Sequence, residues 1–286
     1  EEINASYQAG TYRLERRFNN LAEGNYSFNA HVIDAEGTIA SAGLRNITVS
    51  YGPVVENVSL NATSIHNVSD NELDLYYDLY HPEGLNMTAI VDWRVDGTSM
   101  AVLNMPFDTN TTTPVKDYST YENNGTNDGA TWIENGVVGG AYHFNADTQI
   151  VIPDSPELSG GVKDLSWSFW VKPEGSSKDP DPDIMTKFLD GSSKDYGFQA
   201  ETNSSGFPGK FRVVFYAENG NGNDIRSVTG WHNLSEWYHV LATWDGSARR
   251  IKMYVDGTLE VTGDASIDLP DTTSDLIIGN NTYDTE

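Results

Sequence analysis

The sequence predicts an all-β protein made of antiparallel sandwiches, and three observations carry that expectation. Short runs in which apolar and polar residues alternate recur along the 286 residues, and a period of two marks a strand with one buried face. Gly, Asn, Asp and Pro separate these runs and supply the backbone freedom that reversals need. Stretches with a helical period are missing, so no helix longer than a few turns is expected.

Residues 1–52 contain LAEGNYSFNAHVIDAEGTIASAGLRNITVSY. Tyr26, Phe28, Ala30 and Val32 alternate with polar neighbours, a turn is expected over residues 34–37, and residues 44–49 form a further strand. The G-x-Y-x-F strand followed by a D-x-x-G turn resembles the last strands of a bacterial- or archaeal-type immunoglobulin-like repeat. The beginning of that module is expected to precede residue 1.

Residues 53–101 begin again with strands expected over 55–60, 73–80 and 87–95, and with turns over 81–84 and at Asp96-Gly97. This stretch resembles the opening half of an immunoglobulin- or cadherin-like module. Three strands are too few for a free-standing sandwich. The module therefore packs on its neighbours, or the following domain is inserted into it.

From residue 102 the chain gains aromatics and longer loops. Its best-formed hairpin is EWYHVLATWDGSARRIKMYVDGTLE, residues 236–260. Tyr238, Val240, Ala242 and Trp244 line one face of the first run, with Trp237, His239, Leu241 and Thr243 on the other. Ile251, Met253 and Val255 alternate with Lys252 and Tyr254, while Asp245-Gly246 and Asp256-Gly257 tolerate the positive φ of tight turns. The expected element is a β-meander.

That hairpin joins other ordered motifs: MPFDTNTTTPVKDYSTYENNG, GGAYHF, and LSWSFWVKPEG at residues 165–175. Together they resemble a laminin-G-like, concanavalin-A-like jelly roll over residues 102–286. The resemblance implies one more strand beyond IIGN, residues 277–280, so the last strand is expected to lie outside the chain. The assembled expectation is immunoglobulin-like β-sandwich segments followed by an antiparallel jelly-roll sandwich, as in large archaeal-type modular surface proteins.

Composition narrows the partners. A formal net charge of -25 opposes nucleic-acid binding, which needs clustered Lys and Arg against phosphates. The dense basic cluster Arg13, Arg16 and Arg17 reads as a charged edge strand. No apolar run approaches the ~20 residues of a membrane span. With no cysteine, disulfides, thiolate nucleophiles and cysteine-ligated metals are excluded together.

Asn-x-Ser/Thr acceptors stand at Asn4, Asn25, Asn46, Asn57, Asn61, Asn67, Asn86, Asn110, Asn124, Asn203, Asn233 and Asn280. Chance pairing of the chain's Asn, Ser and Thr gives about four. The excess predicts an N-glycosylated, extracellular or cell-surface protein.

The jelly-roll resemblance admits glycoside hydrolases, so the site chemistry decides. Hydrolysis needs two carboxylates about 5–9.5 Å apart across a sugar cleft. The strand run Glu-x-Asp-x-x-Glu that would supply them is not found in residues 102–286, nor is a Gly-x-Ser-x-Gly elbow or a His-Glu-x-x-His motif. The histidines His31, His66, His81, His143, His232 and His239 are scattered without metal-ligand spacing. The chain is expected not to be an enzyme.

The resemblance implies a calcium ion near the sandwich rim, with Asp108 and Asp117 as candidate ligands and Asn124 as a third. It also implies ligand binding on rim loops, where aromatic faces stack on sugars and amides or carboxylates meet hydroxyls. Trp231 in a polar loop is the candidate aromatic, and Asn221, Asp224, Asp181 and Asp183 are the candidate polar contacts. Trp167, Trp170, Trp237 and Trp244 follow strand patterns and are expected in the core.

The expected function is a non-enzymatic recognition or adhesion module that binds a glycan or a surface protein, with calcium assistance. Two alternatives stand beside it: a structural subunit that self-assembles into a surface layer, sheath or filament, and an accessory binding domain of a surface hydrolase.

Overall fold

The computed structural model describes residues 2–8, 11–18, 21–62, 72–110, 114–145, 147–161, 163–174, 182–190, 193–202, 209–218, 227–228, 231–265 and 268–279. The chain divides into two compact units, Glu1–Ala89 and Ile90–Glu286.

The first unit is made of two-stranded antiparallel pairs. Strand β1 (Glu2–Gln8) pairs with β2 (Thr11–Arg17), which places the basic cluster on a strand as expected. Strands β3 (Gly24–Phe28), β4 (His31–Ile33), β5 (Ile39–Ser41) and β6 (Arg45–Val49) nest as one long hairpin, with β4 on β5 inside β3 on β6. Its turn closes where Asp34 Oδ1 accepts the Glu36 and Thr38 N–H groups at 3.1 and 2.7 Å, the side-chain role that makes Asp a turn former. Strand β7 (Val54–Ala62) pairs with β8 (Leu73–Tyr80). No described side chain from Phe18 to Ala89 is buried. Val32, Ile33, Ile39, Leu44 and Val58 are each more than 60% exposed.

The strand expected over residues 87–95 is only its last two residues, β9 (Arg94–Val95), turning at Asp96-Gly97 into β10 (Thr98–Ser99). Met100 N donates to Trp93 O at 2.7 Å as the next rung of this hairpin, while ahead of it Val91 O accepts the Asn104 side chain, through Nδ2 at 3.1 Å. Alternation in the sequence could not show that this carbonyl is claimed by a residue further along the chain.

The second unit is a sandwich. Its larger layer uses β11 (Thr126–Asp128), and a small separate pair is β12 (Thr131–Ile133) on β13 (Ala141–His143). Next come β14 (Gln149–Ile152), β15 (Leu165–Val171), β16 (Asp183–Asp190), β17 (Ser193–Thr202), β18 (Lys210–Glu218), β19 (Ser227–Val228) and β20 (His232–Asn233). The meander forms as β21 (Tyr238–Asp245), β22 (Arg250–Val255) and β23 (Thr258–Asp264), and β24 (Leu276–Gly279) ends the described chain. An eight-stranded sheet runs β11-β14-β24-β16-β17-β18-β19, with β20 also on β18. A four-stranded sheet runs β15-β21-β22-β23.

Period-two alternation drives both sheets inward. Tyr238, Val240, Ala242 and Trp244 are buried while their neighbours are half-buried, so the predicted face of β21 is the core face. Across the sandwich they meet Phe198, Phe211, Val213 and Phe215, all 0% exposed. Trp167 joins the layers, its ring 4.9 Å from Tyr196 and 5.5 Å from Phe198, spacings at which tilted and edge-on aromatic pairs attract. Fully burying one such aromatic side chain stabilises by about 1.5–3 kcal/mol.

One core expectation is corrected. Trp170 is 49% exposed, because β15 alternates and Trp167 and Phe169 already take its inward positions. Its ring lies 5.2 Å from His239 on the outer face instead. Trp237 is half-buried and lies one residue before β21.

Candidate ligand-binding face

The outward residues of β16, β17 and β18 form a polar row. Asp183 is opposite Gln199, and Glu201, two residues further along β17, is opposite Arg212. Residues two apart on a strand share a face, as do directly paired residues. The inward partners on the same strands are Phe198, Ala200, Phe211 and Val213, which fix the strands in the core.

The row is internally bonded. Gln199 Nε2 donates to Asp183 Oδ1 at 2.9 Å, and Arg212 reaches Glu201 Oε2 through Nε at 2.6 Å and Nη2 at 2.5 Å. The guanidinium carbon stands 4.7 Å from the centre of the Trp231 ring, an attraction worth about 0.5–1 kcal/mol at a partly exposed site. The Arg212 and Glu201 side chains keep 26% and 21% of their exposure. Trp231 is thereby oriented by a charge that is itself held by Glu201. It directly precedes β20, whose Asn233 and His232 pair with Lys210 and Phe211.

Beside it, His232 forms a cluster of three tilted rings with Phe211 and Tyr238, their centroids 5.7 and 5.0 Å from its own, and its Nε2 is 3.2 Å from Glu260 Oε1. Tyr238 OH donates to Glu236 Oε2 at 3.0 Å. Burial raises the Tyr238 hydroxyl above its ordinary range, and the adjacent Glu236 carboxylate adds to that rise.

Two of the predicted ligand contacts, Asp183 and Trp231, thus flank one polar row, although Asp183 is the first residue of a strand and not a loop residue. Asp181, Asn221 and Asp224 lie outside the described residues. Gln199, Glu201 and Arg212 were not singled out from the sequence. The available signal was the alternation in DYGFQAET and KFRVVFY, which places Gln199, Glu201 and Arg212 opposite the apolar face.

The calcium candidates have other work. Asp117 is fully buried. Its Oδ1 accepts Asn104 N at 2.8 Å and Ser119 N at 2.9 Å, while Oδ2 accepts Ser119 Oγ at 2.7 Å and Asn123 N at 2.8 Å. Asn124 Oδ1 accepts the Asp117 N–H at 3.0 Å, so the pair stitches the 117–124 loop. Asp108 Oδ1 is buried and finds no hydrogen-bond partner. Burial pushes this carboxyl above its ordinary range, and the Gly140 N–H only partly offsets the rise. Calcium takes six to eight oxygens, and both Asp117 oxygens and Asn124 Oδ1 already accept N–H or hydroxyl donors. Among the described residues no three His, Asp or Glu side chains converge on one point.

Of the glycosylation acceptors, Asn25, Asn46, Asn57, Asn61, Asn86, Asn110 and Asn233 are exposed and Asn124 is half-buried. Asn4 lies on β1. Asn67, Asn203 and Asn280 fall outside the described residues.

Residues 144–286 match the laminin-G group described as the concanavalin A-like lectin/glucanases superfamily. The chain belongs to this superfamily. Solved structures similar to part of this chain include domain 4 of the extracellular arabinanase AbnA from Geobacillus stearothermophilus, in complex with arabinotriose. It is 18% identical, covers 64% of this chain and 84% of that chain, and has a TM-score of 0.44. A SAP-like pentraxin from Limulus polyphemus is 15% identical over 46% of this chain and 64% of its own, with a TM-score of 0.32. A carbohydrate-binding module from Bacillus subtilis is 15% identical over 55% of this chain and 92% of its own, with a TM-score of 0.30. These likenesses concern the fold alone. Among curated proteins none matches. The matched superfamily group is a non-catalytic binding domain, in line with the expectation that the chain is not an enzyme. Among the described residues no helix is long and apolar enough to cross a membrane.

Proposed function

We propose that this lectin-superfamily domain binds carbohydrate on the outer face of its eight-stranded sheet, and that the chain serves as a non-enzymatic adhesion protein at the cell surface. The observation that carries this reading is the row Asp183, Gln199, Glu201 and Arg212 ending at Trp231. Sugars present an apolar CH face beside hydroxyl groups, so an indole next to an amide, two carboxylates and a guanidinium meets both chemistries. The row carries two acidic groups against one basic group on a chain of net charge -25. That balance favours neutral sugars over sulfated or uronic ones. The twelve sequons favour a location outside the cell, where the first unit would serve as immunoglobulin-like spacer repeats.

The test is a glycan array probed with the intact chain and with Trp231→Ala and Gln199→Ala. Retention of a neutral oligosaccharide is expected, with affinity reduced roughly tenfold or more in each variant, the loss that one buried contact produces. Unchanged binding by a folded Trp231→Ala protein would remove the reading.

A second reading, a self-assembling structural subunit, is favoured by the exposed apolar side chains of β4, β5 and β7. Sedimentation of the glycosylated chain as a concentration-dependent oligomer would support it over the first.

A further inference from the structure

Lys187 on β16 has 0% side-chain exposure. Taking an ammonium out of water is costly unless charge and hydrogen bonds compensate it. Four oxygens surround Nζ: Asp154 Oδ1 at 2.7 Å, Ser274 O at 2.7 Å, Thr272 O at 3.1 Å and Asp195 Oδ2 at 3.3 Å. They come from separate parts of the fold, since Asp154 follows β14, Asp195 lies on β17, and Thr272 and Ser274 precede β24.

Two features distinguish this arrangement from an ordinary ion pair. The ligand set is two carboxylates and two main-chain carbonyls, four of the six to eight hard oxygens that calcium takes, the rest being within the reach of water. The charges also leave a remainder: two carboxylates against one ammonium give a deficit of one positive charge, and Asp195 is itself wholly buried. Burial correspondingly pushes the Asp195 carboxyl upward, and the Thr272 groups and Lys187 only partly counter it. A divalent cation would balance the same ligands.

The carbonyls are also held without the lysine's help. The Asp195 carboxylate accepts Thr272 N–H at 3.0 and 3.1 Å, and the Thr272 and Ser274 hydroxyls are 2.5 Å apart.

We propose that the Lys187 ammonium is the resident cation of a calcium-type oxygen cage formed by Asp154, Asp195, Thr272 and Ser274, and that this cage accepts a divalent cation once the ammonium is removed. In the natural chain a tethered charge closes this end of the sandwich, so calcium is not needed there. The inference is independent of the carbohydrate reading.

Thermal unfolding of the full chain in EDTA and in about 10 mM calcium chloride, well above the affinity of weak extracellular sites, tests it. Wild type, Lys187→Ser and Lys187→Met are compared. Lys187→Ser is expected to melt below wild type in EDTA and to gain roughly 5 °C or more in calcium relative to any wild-type shift, as saturating a new site would produce. Lys187→Met, whose side chain still fills the cage, is expected to melt low in both. Lys187→Ser without a calcium-dependent gain, whether it melts identically in both buffers or stays unfolded in both, overturns the proposal. So does an equal calcium gain in wild type or in Lys187→Met, since either would place the ion elsewhere.

Discussion

Asp108 shows how much of a residue's setting lies outside its local sequence. In the fold the Oδ1 of this candidate ligand is buried against Gly139 and has no hydrogen-bond partner, the Gly140 N–H only partly offsetting the cost to the carboxyl. Its raised pKa sets a definite sign. A carboxyl whose folded pKa lies above its unfolded value favours the folded state while protonated, and stability falls as pH rises through the folded pKa. Asp108→Asn removes that titration. In EDTA the variant is expected to melt above wild type at neutral pH, by the equivalent of about 1 kcal/mol, the lower end of the cost of an unsatisfied buried polar group. The difference should shrink toward about pH 3, where an ordinary aspartate is protonated. A variant that melts below wild type at every pH would mean that Oδ1 has a stabilising partner. Lys187 is the plainer case. Nothing in DPDIMTKFLD marks its lysine as buried, because the oxygens around it come from residues up to 87 positions away.

At the scale of elements, legibility followed how local the determinant was. The meander β21–β23 was readable because alternation and two Asp-Gly pairs lie within 25 residues; Asp256 (φ 46°) with Gly257 (φ 76°) forms the expected reversal, whereas the turn after Asp245 takes its positive φ at Arg249 (52°) and not at Asp245-Gly246. The short β9 was not readable, since the Asn104 side chain takes the Val91 carbonyl from further along the chain. Trp170 was misplaced because periodicity gives two faces without saying which is inward. Two glycines with similar backbone demands separate strain from crowding. Gly257 has open space around its Cβ position, so Gly257→Ala should cost about 1 kcal/mol, from positive φ alone. At Gly279 on β24, φ is 93° and an added Cβ would lie 2.3 Å from the Phe144 ring. Gly279→Ala adds overpacking of about 1–3 kcal/mol to the same backbone cost. Urea unfolding should show a clearly lower midpoint for Gly279→Ala than for Gly257→Ala, and equal midpoints would mean that Phe144 swings aside freely.

Over the whole molecule, the two units bury their side chains very differently, and this contrast carries a prediction about stability. In the second unit, β14, β17, β18, β21 and β22 all contribute fully buried side chains to one core. Their ladder hydrogen bonds open only when that core does, so exchange should track global unfolding. In the first unit the pairs β3–β6, β4–β5 and β7–β8 carry no buried side chain among the described residues. Isolated two-stranded hairpins are marginal in water, and the backbone bonds there are shielded by little apolar surface. Hydrogen–deuterium exchange with peptide-level mass spectrometry is expected to label residues 24–62 and 73–80 within seconds to minutes at neutral pH, while residues 211–215 and 238–255 resist for hours. The split matters for the carbohydrate reading, because Gln199, Glu201 and Arg212 sit on strands of the protected class. A ligand face built on slow-exchanging strands is pre-organised and loses little freedom on binding. Equal and strong protection in the first unit would instead mean that its exposed apolar strands are covered in solution, which would shift weight from the adhesin to the self-assembling subunit.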